Sequence, residues 1–211
     1  MDFIKEPMAI ENRSMELIAP HLAELHLDER ATKLYSRLIH ASGDVGYAPI
    51  TRVHPEAIDR AIEALKAGAH IYTDVEMVRT GINKKKLASF GGEVHCLVAD
   101  PDVAVQAKEL GITRSMVAMR KFGKALGGSI VAIGNAPTAL FEVLRLVREE
   151  GIRPACIVGI PVGFVGAAES KVELAENGIV PYITVEGTKG GSPIAAAAIN
   201  ALMYIIDNTR P

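Results

Sequence analysis

Five short apolar runs, at 70–73, 94–98, 129–134, 155–159 and 182–185, alternate with stretches of helical periodicity at 84–89, 102–108, 138–150, 168–176 and 194–208. Apolar runs of that length, each followed by a helix, describe strands buried on both faces, and the intervening helices favour parallel pairing. The expected fold is therefore α/β: a five-stranded parallel sheet with helices on both faces, a three-layer architecture. A further helix, at 114–126, interrupts the alternation between the second and third strands. Ahead of the sheet, apolar positions from Ile10 to Ala41 recur at three and four residues. They predict an N-terminal helical pair at 8–25 and 28–42, separated around Pro20 and residues 26–28. The segment 41–55 fits neither period and holds Gly43, Gly46, Pro49 and Pro55, so it is expected to be a loop of a length usually reserved for function. No repeat, low-complexity tract or linker divides the chain, and 1–211 is expected to be a single domain.

Charge and cysteine usage narrow the function classes. Basic residues number 23 and acidic ones 25, for a formal net charge of −2, and no long basic run is present, so a nucleic-acid partner is not expected. Cys96 and Cys156 each lie in an apolar run and read as buried thiols, not as a disulfide framework or a metal knuckle, which fits the cytoplasm. Asp2, Lys5 and Glu6 precede any apolar stretch, and the longest such segment, 193–206, is broken by Asn200 and shorter than a bilayer requires. Neither secretion nor a membrane partner is expected.

In parallel α/β sheets ligands bind beyond the carboxyl ends of the strands. Here those loops begin at Asp74, Asp100, Asn135, Pro161 and Glu186. Arg37 and His40, three residues apart, share one face of the second helix and form the sharpest pair in the chain. Together they suit a polycarboxylate, whose negative charge offsets the guanidinium beside the imidazole; otherwise they are a solvated helix end. The segment from Gly159 through Gly163 and Gly166 to Lys171 reads as strand, glycine loop and helix, and the segment from Gly187 to Ser192, with Lys189, Gly190 and Gly191, opens the last helix in the same way. Neither matches a dinucleotide fingerprint or a P-loop, but backbone amides in both loops are available to anions unless the loops are merely tight turns. Asn135 and Asp74 read first as caps, and Arg114 with Arg120 and Lys121 as a solvated cationic face. His54, His70 and His95 show no metal-ligand spacing and read as structural, so no metal site is expected.

Six segments carry a more specific signal: IHASGD at 39–44, DVEMVRTG at 74–81, TRS at 113–115, GNAPTAL at 134–140, VGFVGAAESK at 162–171 and GGS at 190–192. Together they resemble the precorrin-8X methylmutase family of cobalamin biosynthesis, including its cobalt-precorrin-8 branch, over nearly the whole chain. The resemblance implies a flavodoxin-like α/β domain, a homodimer with shared active sites, and no cofactor. It also implies an isomerase that moves a methyl group from carbon 11 to carbon 12 of a tetrapyrrole polycarboxylate. Carried over residue by residue, the catalytic histidine falls on His40, and Ser14 and Arg37 are the substrate contacts of the N-terminal helices. Arg114 matches an arginine offered to substrate carboxylates across the dimer interface. Asn135, Gly163, Phe164, Val165, Lys189 and Ser192 complete the expected substrate-binding set. Asp44 after Gly43 leans toward the cobalt branch.

The chemistry is consistent with those residues. A sigmatropic methyl shift needs no nucleophile or redox centre; it needs the conjugated ring made electron-poor and held in place, for which one acid is enough. The substrate carboxylates then account for the cations and the loop amides. The rival reading is a noncatalytic module that holds a tetrapyrrole or a nucleotide, and His40 beside Arg37 is the feature such a carrier would not need.

Overall fold

The computed structural model describes residues 3–207, so Met1, Asp2 and the end of the last expected helix at Asn208 lie outside the described residues. The chain opens with α1 (Pro7–Ile18), capped by the Glu6 carboxylate, which accepts from the backbone N–H of Met8 at 2.9 Å. The helix expected to run over 8–25 stops at Ile18: with Pro20 next, the chain tightens into two 3-10 turns, Ala19–His21 and Ala23–Leu25, and His26 adopts the left-handed conformation, φ 49°. The second helix, α2 (Glu29–Ser42), ends where the sequence reading placed it and starts one residue later than 28. Asp28 caps its start, accepting from Ala31 N–H at 2.7 Å, and Gly43 ends it with φ 64°.

The segment 41–55 is more structured than a loop. It holds a 3-10 turn, Val45–Tyr47, and a strand, β1 (Thr51–Val53), followed by α3 (Ala57–Lys66). Next come β2 (Ile71–Thr73), α4 (Glu76–Gly81), α5 (Lys84–Ser89), the two-residue β3 (Val94–His95) and α6 (Pro101–Leu110). The extra helix is α7 (Arg114–Phe122), shorter than 114–126 because Gly123 turns the backbone into a 3-10 segment, Gly123–Leu126. Then β4 (Ile130–Ile133), α8 (Pro137–Glu149), β5 (Cys156–Gly159), α9 (Ala167–Glu176), β6 (Tyr182–Val185) and α10 (Ser192–Asp207) alternate as expected.

The sheet has six strands, not five, in the order β1-β6-β5-β4-β2-β3. The five expected strands pair in parallel, and β1 adds an antiparallel edge on β6, with Thr51 opposite Val185 and Val53 opposite Ile183. Numbered among themselves, the parallel strands run 2-1-3-4-5, the flavodoxin-like order, whose switch point lies between β2 and β4. Alternation sorts the side chains: Ile130, Ala132, Val158 and Ile183 face a core shared with α2, α3 and α10, while Val131, Ile133 and Ile157 face one shared with α7, α8 and α9. Ala195, Ala196, Ala198 and Ala201 keep the buried face of α10 thin, so α2 and α4 pack closely on it. Among the described residues no helix is long and apolar enough to cross a membrane.

Candidate active site

His40 stands exposed in the last turn of α2, next to helix carbonyls that lack intrahelical partners. The residues that follow it in the chain, Ala41 and Ser42, wall a cleft of about 390 Å³ together with Asp44 and Tyr47 from the following turn and Val162, Lys189 and Gly190 from the loops after β5 and β6. The site thus sits beyond the carboxyl ends of two neighbouring strands.

Those loops are bonded to one another before any ligand arrives. Gly163 N–H donates to the Thr188 carbonyl at 3.1 Å, and Gly191 N–H to the Ile160 carbonyl at 2.9 Å. The two amides are therefore engaged by the protein, and the expectation that both glycine loops are open anion cradles is corrected at these positions. The approach is close: at Gly190, φ 152°, a Cβ would lie 2.5 Å from the Ile160 carbonyl oxygen. At the end of β4, a Cβ on Gly134 would meet the Ser192 Cα at 2.7 Å. Three sheet loops are thereby gathered around the start of α10.

Lys171 is the residue that sequence spacing missed. Its side chain, on the first turns of α9, is 2% exposed, and Nζ donates to the Lys189 carbonyl at 2.6 Å. Burial pulls its pKa down from 10.5 to about 8. Its place at the end of the VGFVGAAESK string was the available signal; it braces the Lys189 loop from beneath and does not reach the cleft as a P-loop lysine would.

The expected cations mostly have resident partners. The Arg37 guanidinium is ion-paired with Glu11 of α1, both largely buried, and lies 5.7 Å from the centroid of the Tyr204 ring on α10. Lys189 Nζ lies 2.5 Å from Asp44 Oδ2, across the cleft mouth, and holds the Asp44 carboxyl below the usual carboxylate range. Arg114, exposed at the first position of α7, forms no ion pair among the described residues. Ser14 is half-buried on α1 and its Oγ donates to the Ile10 carbonyl at 2.8 Å, while Ser192 is buried at the start of α10. Phe164 and Val165, by contrast, are 92% and 90% exposed at the tip of the β5 loop.

Asp74 is fully buried after β2, and its carboxylate accepts the backbone N–H groups of Gly134, Asn135 and Ala136 at 3.0, 2.9 and 2.7 Å. It is a cap, as its sequence context indicated, but of the loop after β4 and not of its own helix. Burial raises its pKa against the opposing pull of the three donors. Asn135 is exposed beside it, with its backbone fixed and its side chain toward solvent. Cys96 and Cys156 are free thiols, half-buried and buried, with pKa values pushed up by burial to about 11 and about 12.

Comparison with known proteins extends over nearly all of these elements. A family model described as precorrin-8X methylmutase matches residues 9–205. A cobalt-precorrin-8 methylmutase of Priestia megaterium is 42% identical over 203 residues, covering 96% of this chain and 90% of that protein. A precorrin-8X methylmutase of a Sinorhizobium species is 44% identical over 202 residues, covering 95% and 96%. The solved structure of a precorrin-8X methylmutase from Thermus thermophilus superposes with a TM-score of 0.84 at 35% identity, covering 96% of this chain and all of that one. Proteins named for catalysis, and not for carriage, are thus what this chain is similar to.

Proposed function

Because the chain belongs to the precorrin-8X methylmutase family, we propose that it is an isomerase of corrin biosynthesis acting on precorrin-8 or its cobalt form. In this reading it shifts a methyl group from carbon 11 to carbon 12 and yields hydrogenobyrinic or cobyrinic acid. The observation that carries the reading is the family match over residues 9–205, joined to an exposed imidazole, His40, that directly precedes Ala41 and Ser42 in the wall of a cleft between two strand loops.

His40 is the acid. Protonating the conjugated macrocycle withdraws electron density from it, the methyl group migrates with its bonding pair between adjacent carbons, and the proton returns to the imidazole. The exposed pair Phe164 and Val165 offers an apolar surface to the flat ring. Arg37 and Lys189 meet substrate carboxylates by exchange: each gives up a resident carboxylate, Glu11 or Asp44, for one of the substrate's, so little net charge is left uncompensated. Ser14, Asn135, Gly163 and Ser192 are further substrate contacts in this reading. A ring of this size needs more cover than one cleft provides, which supports a homodimer in which Arg114 serves the partner's site. The same reading places the enzyme in the cytoplasm, with the chain acting as one catalytic domain and no cofactor in the reaction.

The test is His40→Ala, with the fold checked by circular dichroism. The variant is expected to bind corrinoid and to lose isomerisation, followed as the change in visible absorption and by separation of the two equal-mass isomers. Near-normal turnover would remove His40 from the mechanism.

A further inference from the structure

Strands β2 and β3 pair in parallel with Ile71 opposite Val94 and Tyr72 opposite His95. Because side chains alternate along a strand, His70 and Tyr72 on one strand and Glu93 and His95 on the other belong to the same face. One ligand atom from each of His70, Glu93 and His95 lies within 4.8 Å of the other two. The His95 ring is fixed by stacking on Tyr72, at 5.2 Å and 25°, and Tyr72 is held in turn by the edge of Phe122 at 4.7 Å. His70 meets His95 edge-on at 5.1 Å, and Glu93 Oε2 stands 3.9 Å from His95 Nε2.

We propose that His70, Glu93 and His95 form a binding site for a divalent transition-metal ion that clips the edge strand β3 to β2. Two imidazoles and one carboxylate are the donor set of borderline ions such as Zn²⁺, Co²⁺ and Ni²⁺, with water completing the shell. Bonds of about 2.0–2.2 Å place tetrahedral neighbours about 3.3 Å apart. The cluster therefore closes by roughly an ångström, which the exposed Glu93 side chain accommodates. Taking an ion at His70 exchanges the hydrogen bond from Glu93 N–H to His70 Nδ1, 3.1 Å, for a coordinate bond, and the freed amide lies at an exposed residue where water accepts it. β3 is only two residues long and forms an outer edge of the sheet, so a clip there ties down the strand with the least pairing. The site lies at the amino ends of its strands and on the opposite edge from the His40 cleft, so it is separate from methyl transfer.

The experiment uses tag-free protein stripped with a chelator, titrated with Zn²⁺ by calorimetry and with Co²⁺ by visible absorption. Wild type is expected to take one equivalent per chain and to melt at a higher temperature with Zn²⁺. Glu93→Gln, an exposed substitution, should bind at least about ten-fold more weakly, since loss of even an outer-shell partner has that effect. The His70→Ala/His95→Ala double variant should lose both the binding and the thermal shift. No saturable uptake by wild type, or an equivalent retained by the double variant or bound equally well by Glu93→Gln, overturns the proposal.

Discussion

Lys171→Met is expected to make the protein more stable near neutral pH and less able to hold its Lys189 loop. With a pKa of about 8 in the folded chain against 10.5 when exposed, the buried ammonium costs about 3 kcal/mol at about pH 7 by linkage. Methionine is close to lysine in volume, so the site refills without a large cavity. Loss of the hydrogen bond to the Lys189 carbonyl takes back about 1 kcal/mol, leaving the variant ahead by about 2 kcal/mol. Between about pH 8 and 10.5 the unfolded chain keeps a proton that the folded chain has released, so this group makes stability rise with pH across that window. Its relief is complete above 10.5 and is lost as pH falls through about 8. The variant's advantage should therefore shrink by about 2 kcal/mol between about pH 7 and pH 9.5. Cys96 and Cys156 act with the opposite sign, because their thiols ionise first in the unfolded chain. They flatten the wild-type curve but are common to both proteins, so the difference isolates Lys171. Urea unfolding of both proteins at the two pH values measures it. A variant less stable at neutral pH, or a difference that does not change with pH, would refute the reasoning.

Other outcomes follow from the same contacts. Gly190→Ala places a Cβ against the Ile160 and Pro161 carbonyls at a backbone angle that alanine rarely adopts, so urea unfolding should show a loss of about 2–3 kcal/mol together with weaker corrinoid binding. Asp44→Asn removes the carboxylate that Lys189 holds; corrinoid titration should show affinity raised by up to about fivefold, the worth of an exposed pair, and weaker binding would argue against carboxylate exchange. Mixing inactive His40→Ala and Arg114→Ala chains should restore part of the activity if Arg114 serves the partner's site. No recovery after verified subunit exchange would place Arg114 elsewhere.

The alternation of apolar runs and helical periods was readable because the central strands are buried on both faces, as β4 and β5 are throughout. β1 was not, since three residues with an exposed Arg52 between prolines carry no period, and its pairing with β6 is decided by tertiary contact alone. The helix over Ala57–Lys66 passed unnoticed beside a loop rich in glycine and proline, although its buried Ala57, Ile58, Ala61, Ile62 and Leu65 follow helical spacing. The place of His40 at the end of its helix, just ahead of the turn that walls the cleft, was legible from the sequence. The pairing of Arg37 with Glu11 was not, because spacing along one helix says nothing about which carboxylate a neighbouring helix brings. The same limit hid His70, Glu93 and His95, whose proximity exists only across the β2–β3 register.

The carboxylate of Asp74 has a consequence for what this sheet can hold. In doubly wound folds the crevice between the first and third parallel strands is where backbone amides commonly receive a phosphate. Here three successive N–H groups at that spot already grip an internal carboxyl group that is buried from water. A nucleotide phosphate seated there would have to evict a buried side chain and leave it without donors, a loss no exposed phosphate contact repays. The chain thus carries its own permanent tenant in the fold's usual phosphate berth, and the cleft walled by Asp44, Tyr47 and Lys189 lies two strands away, past the ends of β5 and β6.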